Sequence, residues 1–259
     1  MIKIVVTGAN GQLGRCFQKV KDTISDIEFI FCDSKDLDIT DKERVQLFFE
    51  KNEFDYCINC AAYTNVEQAE KTPERAYFIN GEGVKNIAKE CKKHNVILFH
   101  ISTDYVFDGE KGSPYLISDI TNPINEYGKS KLMGENYIVE ILEKYFIVRT
   151  SWLYSEFGHN FYKTILNKAK KGEDLTVIDT ETGCPTNANN LAKYILELVS
   201  SNNKGFGVKH FTDNKPMTWH SFAEEILKNN QLDRTTKLVR ANNYRSFAKR
   251  PKNSTLLCD

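Results

Sequence analysis

The chain has 259 residues, 41% hydrophobic and 27% charged, enough to bury the core of one large domain or two small ones and too apolar for a disordered polyelectrolyte. Its 35 Lys+Arg balance 35 Asp+Glu, and a formal net charge of zero argues against nucleic acid or an anionic membrane as the main partner, while leaving room for a small anion in a local positive pocket. No apolar run approaches the roughly 20 residues of a membrane span, residues 1–6 enter a strand without signal-peptide architecture, and seven scattered cysteines do not suggest a secreted disulfide scaffold, so a cytoplasmic protein is expected.

The β-branched run at 2–7 predicts a strand, broken at Gly8-Ala9-Asn10-Gly11 and followed by a helix with Leu13, Phe17 and Val20 at helical spacing. A second strand is expected at 28–32, a helix at 41–51 with Val45, Phe48 and Phe49 on one face, and a third strand at 55–60. The C-x-x-C pair Cys57 and Cys60 lies in that apolar run, not at a helix start where the dipole would activate a thiol, so both read as small core residues. A long helix follows at 73–93 with Pro73 in its first turn, then a strand at 96–102, a helix at 127–144 and a strand at 146–150. Continuous apolar strands are the pattern of strands covered on both faces, and their alternation with helices predicts an α/β fold, a doubly wound parallel sheet over residues 1–150. Residues 151–259 are more polar and richer in turns, and predict a smaller C-terminal lobe partly interleaved with the sheet.

Three motifs fall where such a sheet binds ligands. Gly8, Gly11 and Gly14 form G-x-x-G-x-x-G between the first strand and its helix, where small residues let the backbone approach a pyrophosphate and the helix N-terminus offers N–H groups. Asp33 ends the second strand about 20 residues beyond the loop, in place for adenine-ribose hydroxyls. Tyr127 and Lys131 are spaced i and i+4 at a helix start, so that a lysine ammonium can lower the tyrosine pKa and also reach a ribose. Thr103, at the C-terminal end of a strand, can bond the same substrate oxygen as Tyr127.

With these motifs the chain resembles the dTDP-4-dehydrorhamnose reductase family of the extended short-chain dehydrogenase/reductases. The likeness is carried by GANGQLG (8–14), NCAAYTNVEQAE (59–70), STDYVFDG (102–109), NEYGKSKLMGE (125–135), RTSWLY (149–154), TGCPT (182–186) and RPKNS (250–254). It implies NADPH or NADH as cofactor and a dTDP-sugar as substrate, reduced at its 4-keto group for cell-surface polysaccharide. It implies that Gly11, Gln12 and Leu13 line the pyrophosphate, with Asp33 near the adenosine and Asp38 and Ile39 in the stretch that contacts adenine. Ala61, Ala62 and Tyr63 pass under the nicotinamide half. Tyr127 is then the proton donor, Lys131 its partner, and Thr103, Asp104 and Trp152 lie by the sugar. Asn80 matches the structural asparagine of the superfamily or is a solvated helix residue, and Arg250 suits the nucleotide diphosphate or is an ordinary surface arginine. Other nucleotide-sugar enzymes of this fold and a non-catalytic cofactor-binding subunit are the alternatives.

His94, His100, His159, His210 and His220 lack metal-ligand spacing. His100 reads as a packed core histidine and Trp219 as a small-lobe core residue. Some relatives bind a divalent metal through interface carboxylates; Arg15 and Cys16 stand where one would help, so no metal site is expected and the oligomeric state, monomer or homodimer, is left open. Family members usually continue for a few tens of residues beyond RPKNS, which implies a substrate lobe short at its C-terminus.

Overall fold

The structure, a computed structural model, describes residues 1–243 and 246–258. In chain order the sheet half contains β1 (Ile2–Thr7), α1 (Gln12–Val20), β2 (Ile27–Cys32), α2 (Lys42–Lys51), β3 (Tyr56–Asn59), α3 (Val66–Lys71), α4 (Pro73–Tyr77), α5 (Val84–Lys93), β4 (Ile97–Thr103), α6 (Glu126–Ile141) and β5 (Tyr145–Thr150). The rest contains β6 (Leu153–Tyr154), α7 (Phe161–Lys170), β7 (Leu175–Ile178), β8 (Thr182–Gly183), β9 (Thr186–Asn187), α8 (Ala188–Ser200), β10 (Gly207–His210), β11 (Met217–Thr218), α9 (Trp219–Asn229) and β12 (Leu238–Ala241). The expected helix at 73–93 is present as α4 and α5 joined through a π-helical turn, Phe78–Gly83.

Six strands pair in parallel in the order β2-β1-β3-β4-β5-β10. The period of two along a strand divides the core between two layers. Ile4 and Val6 of β1 face α1 and α8, with Leu13, Phe17, Leu191 and Ile195. Val5 faces the other way, onto α2, α5 and α6, with Val45, Phe49, Ile87 and Ile138. Helices on both faces explain why the strand sequences are apolar throughout. Both α8 and β10 lie beyond residue 150 and return to the sheet, so the interleaving is substantial. The smaller lobe has its own core, in which Ile165, Leu175, Phe222 and Ile226 bring together α7, α9 and the β7–β12 pair.

Two polar ties stiffen the frame. Arg149 of β5 and Glu135 of α6 form a bidentate ion pair at 2.7 and 3.1 Å, with side chains only 6% and 3% exposed, and Ser102 of β4 donates to the same carboxylate. The C-terminal stretch forms a strap over the α6 side: Asn125 donates to the Lys249 carbonyl at 2.9 Å, Tyr115 and residues 255–257 exchange backbone bonds, and Leu256 is buried. Among the described residues no helix is long and apolar enough to cross a membrane.

Candidate active site

The strand order reverses direction between β1 and β3, the place where an open α/β sheet binds ligands beyond its strand ends. Gly8 leaves β1 there at φ +63°, and a Cβ on it would stand 2.6 Å from the Ala61 nitrogen; only glycine lets the loop cross the end of β3 this closely. Helix α1 then starts at Gly11 with no side-chain cap and no acidic residue in its first turn. Its free N–H groups and positive dipole end are unopposed, so the loop fits a dinucleotide pyrophosphate.

The adenosine-side residues are more occupied than their sequence positions imply. The Asp33 carboxylate accepts from Asn10 Nδ2 at 2.7 Å and from the Lys35 and Asp36 backbone N–H groups, and the two backbone bonds hold its pKa below the usual carboxylate range. Arg44 of α2 donates to the Lys35 carbonyl beside it. Asp38 is turned onto Thr40, accepting from its N–H and hydroxyl, and the Ile39 side chain is buried against Gly83. In place of an adenine contact through those two side chains, the structure shows a turn and a core position, leaving backbone to face a base.

A cleft of about 580 Å³ opens at the C-terminal ends of β1, β3, β4 and β5, and Gln12, Ala62, Thr103, Tyr127, Lys131 and Trp152 are among the residues lining it. Thr103 ends β4; its hydroxyl donates to Asp104 Oδ1 at 3.0 Å and accepts from the Tyr105 N–H at 3.2 Å. Asn125 caps α6 by accepting from the Gly128 N–H, which fixes the first turn where Tyr127 sits. The Tyr127 ring meets Tyr105 edge to face at 5.9 Å. Desolvation pushes its phenol up to about 12, against the opposing Thr103 hydrogen bond and with the Asp104 charge adding to the rise. Burial likewise raises the Asp104 carboxyl to about 6.

Lys131 is 2% exposed. Its Nζ donates to the Ile101 carbonyl at 2.6 Å and lies 3.2 Å from His100 Nε2, and burial pushes it down to about 8. The groups that shift Tyr127 are its burial, Thr103 and Asp104, with no contribution from this lysine. The lysine is turned onto β4 and the tyrosine remains a neutral phenol, which is the form that gives up a proton.

Other residues take their places around this centre. Asn80 is buried in the π-helical turn, accepts from the Tyr63 N–H, and donates to the Tyr63 carbonyl and to Ser130 Oγ, each at 2.8–2.9 Å. It therefore clamps residues 61–63 to α6 and is not solvated. Gln12 spends its side chain inside the protein: Nε2 donates to the Leu153 carbonyl, and Oε1 accepts from Ser155 and Asn160. Only its backbone remains for a phosphate.

Trp152, at φ +46°, stacks on Trp219 with ring centroids 3.4 Å apart. Trp219 is thus a cleft residue as well as a lobe residue, and its Nε1 donates to Glu181. It also lines an adjoining cavity of about 360 Å³, and Arg250 belongs to that cavity, ion-paired with Glu67 at 3.0 Å. Cys57 is buried in the core, whereas Cys60 reaches the cleft. Arg15 lies over the Phe157 ring, and among the described residues no three His, Cys, Asp or Glu side chains converge as a metal set.

Residues 2–259 match the family model described as the RmlD substrate binding domain. The chain is 36% identical to the dTDP-4-dehydrorhamnose reductase of Aggregatibacter actinomycetemcomitans, covering 99% of this chain and 90% of that protein. It is 35% identical to the spore coat polysaccharide biosynthesis protein SpsK of Bacillus subtilis, covering 99% and 89%. The crystal structure of dTDP-4-dehydrorhamnose reductase from Bacillus anthracis in complex with NADP superposes with a TM-score of 0.93 at 35% identity, covering 100% of this chain and 92% of that one.

Proposed function

The chain belongs to the RmlD substrate binding domain family, and from that membership we propose its activity: NAD(P)H-dependent reduction of the 4-keto group of dTDP-4-dehydro-β-L-rhamnose to dTDP-β-L-rhamnose, for cell-surface polysaccharide. It is an NAD(P)-dependent oxidoreductase. The observation that carries the reading is the placement of Tyr127 and Thr103 in one cleft at the strand ends, over a glycine loop shaped for a dinucleotide.

When bound, the dinucleotide supplies the hydride. The chain's own groups do the rest. Gly11, Gln12 and Leu13 line the pyrophosphate, Gln12 and Leu13 offering backbone N–H groups while the Gly11 N–H closes the turn onto the Gly8 carbonyl at 2.9 Å, and Gly8 and Gly14 give the loop its close turn. Ala61, Ala62 and Tyr63, held by Asn80, form the floor of the nicotinamide half. The Thr103 hydroxyl holds the sugar O4, and Tyr127 delivers its proton there as negative charge develops. Lys131, as ammonium, supports the resulting phenolate. Trp152 and Asp104 border the sugar, and Arg250 with Trp219 offers the adjoining cavity to the nucleotide. Residues 1–150 serve the dinucleotide and 151–259 the sugar nucleotide, apart from the return of α8 and β10. We place the reaction in the cytoplasm, where its cofactor pool lies.

A dehydratase reading is disfavoured by chemistry. Abstracting the C5 proton and protonating the leaving C6 hydroxyl takes a second acid–base group after Asp104. Tyr105 stands there, and burial raises its phenol above even the ordinary tyrosine range. The expected result is oxidation of NADPH on adding the 4-keto-L-rhamnose nucleotide, and no conversion of dTDP-glucose with NAD⁺. A 4-keto-6-deoxy product from dTDP-glucose would overturn the assignment. Binding of NADPH without turnover of any 4-keto sugar nucleotide would leave a cofactor-binding subunit.

Cofactor choice follows from the charges at the end of β2. Asp33 repels a 2′-phosphate, while Lys35 and Arg44 attract it. Steady-state kinetics should show both NADH and NADPH in use, with kcat/KM values differing by less than roughly a thousandfold, about 4 kcal/mol.

A further inference from the structure

His100 lies wholly buried in β4, against Lys131. Its Nε2 is 3.2 Å from the lysine Nζ, and its Nδ1 is 3.1 Å from Asn59 Nδ2 on β3. The Asn59 amide is oriented from its far side: Oδ1 accepts from the Thr7 hydroxyl at 2.6 Å and from the Ala61 backbone N–H at 3.2 Å. A flipped amide would aim its NH₂ at that N–H, so the donor end must face His100. His100 Nδ1 is then an acceptor. Burial holds the imidazole neutral by pushing its pKa well below the usual range, and a neutral ring accepting at Nδ1 carries its proton on Nε2. That Nε2–H points at Lys131. An ammonium has no lone pair to receive it, whereas an amine does and still donates to the Ile101 carbonyl at 2.6 Å.

We infer that Asn59 and His100 are positioning residues that berth Lys131 against β4 as a neutral amine, so that the lysine leaves the berth when it takes a proton from the cleft and turns to its working partners. The inference rests on the pairing of Lys131 with Tyr127 proposed above. The titratable groups facing the lysine are Glu135 on its own helix, Cys60 beyond β3 and His100 on β4. Glu135 favours the ammonium, but its carboxylate is shared with Arg149 and Ser102, and desolvation outweighs it. The berth therefore sets the pH at which the working ammonium is lost, and with it the basic limb of kcat.

The first test needs no substrate. Long-range ¹H–¹⁵N NMR between about pH 7 and 9, with the His100 ring assigned by its loss in His100→Gln, reads which nitrogen carries the proton. Nε2–H is expected, and Nδ1–H would overturn the inference. The second test uses Asn59→Asp, of the same shape. Its carboxylate accepts from Thr7, from Ala61 and from the ring, so the ring proton moves to Nδ1 and Nε2 becomes an acceptor for an ammonium. The basic limb of kcat should rise by about one pH unit. A purely structural role for Asn59 would lower stability or kcat at every pH and leave the limb in place, and an unmoved limb overturns the coupling. If Asn59→Asp does not fold, the tautomer of the unaltered protein still decides. Normal turnover in Tyr127→Phe would instead remove the catalytic reading and leave the tautomer untouched.

Discussion

Tyr127→Phe should lower kcat by roughly 10²–10⁴, the usual worth of a positioned general acid, with little change in NADPH affinity. The replacement keeps the ring and its edge-to-face contact with Tyr105 and removes only the hydroxyl proposed to protonate the sugar oxygen. Thr103 remains to hold that oxygen, so KM for the sugar nucleotide should change far less than kcat. Steady-state kinetics with a parallel fluorescence titration of NADPH separates the two quantities. Lys131→Met should damage both if, as proposed, the ammonium serves the cofactor ribose as well as Tyr127. Near-normal turnover in Tyr127→Phe would mean that the proton comes from elsewhere, with Asp104, raised to about 6 by burial, the neighbouring acid to examine next.

Arg149→Met should destabilise the protein by about 3–5 kcal/mol, because it strands the Glu135 carboxylate in the core without its partner. The size follows from burial. Lys19–Glu156 is a shorter ion pair, 2.6 Å, but its side chains are 56% and 42% exposed, and a pair of that kind contributes at most about 1 kcal/mol. Arg149 and Glu135 are 6% and 3% exposed and join β5 to α6. Urea denaturation of the single variant and of Arg149→Met/Glu135→Leu tests this, with the double variant recovering most of the loss. A single variant as stable as the parent would show that the carboxylate takes up a proton or finds water at little cost.

The sheet was legible because its evidence is local and repeated. A strand covered on both faces must be apolar throughout, as 2–7 and 146–150 are, and a phosphate loop must place glycines at a strand–helix junction. The convergence of Tyr127, Lys131 and Thr103 on one cleft was legible too, from the i, i+4 spacing at a helix start and from the C-terminal end of a strand. What the sequence hid depends on partners far away along the chain. Glu135 and Arg149 look like two surface charges until α6 is laid on β5. Asn80 is ambiguous until the π-helical turn rotates it inward against Tyr63. His100 reads as core because nothing in 96–102 shows that Lys131, 31 residues later, ends on its ring. Trp219 reads as lobe core because its stacking partner Trp152 adopts a positive φ that no local pattern announces.

The side chain of Gln12 reaches across 141 residues of sequence to the Leu153 carbonyl, and onward to Ser155 and Asn160, while its backbone N–H belongs to the phosphate loop. One residue therefore belongs to both halves of the catalytic cycle. Leu153, Tyr154, Gly158, His159 and Asn160 line the same cleft, so a dinucleotide that orders the loop is expected to order them as well. By thermodynamic linkage the sugar nucleotide then binds more tightly to the loaded protein than to the empty one, and the dinucleotide is retained more tightly once the sugar is in place. Because the coupling is reciprocal, each ligand is expected to lower the Kd of the other by the same factor.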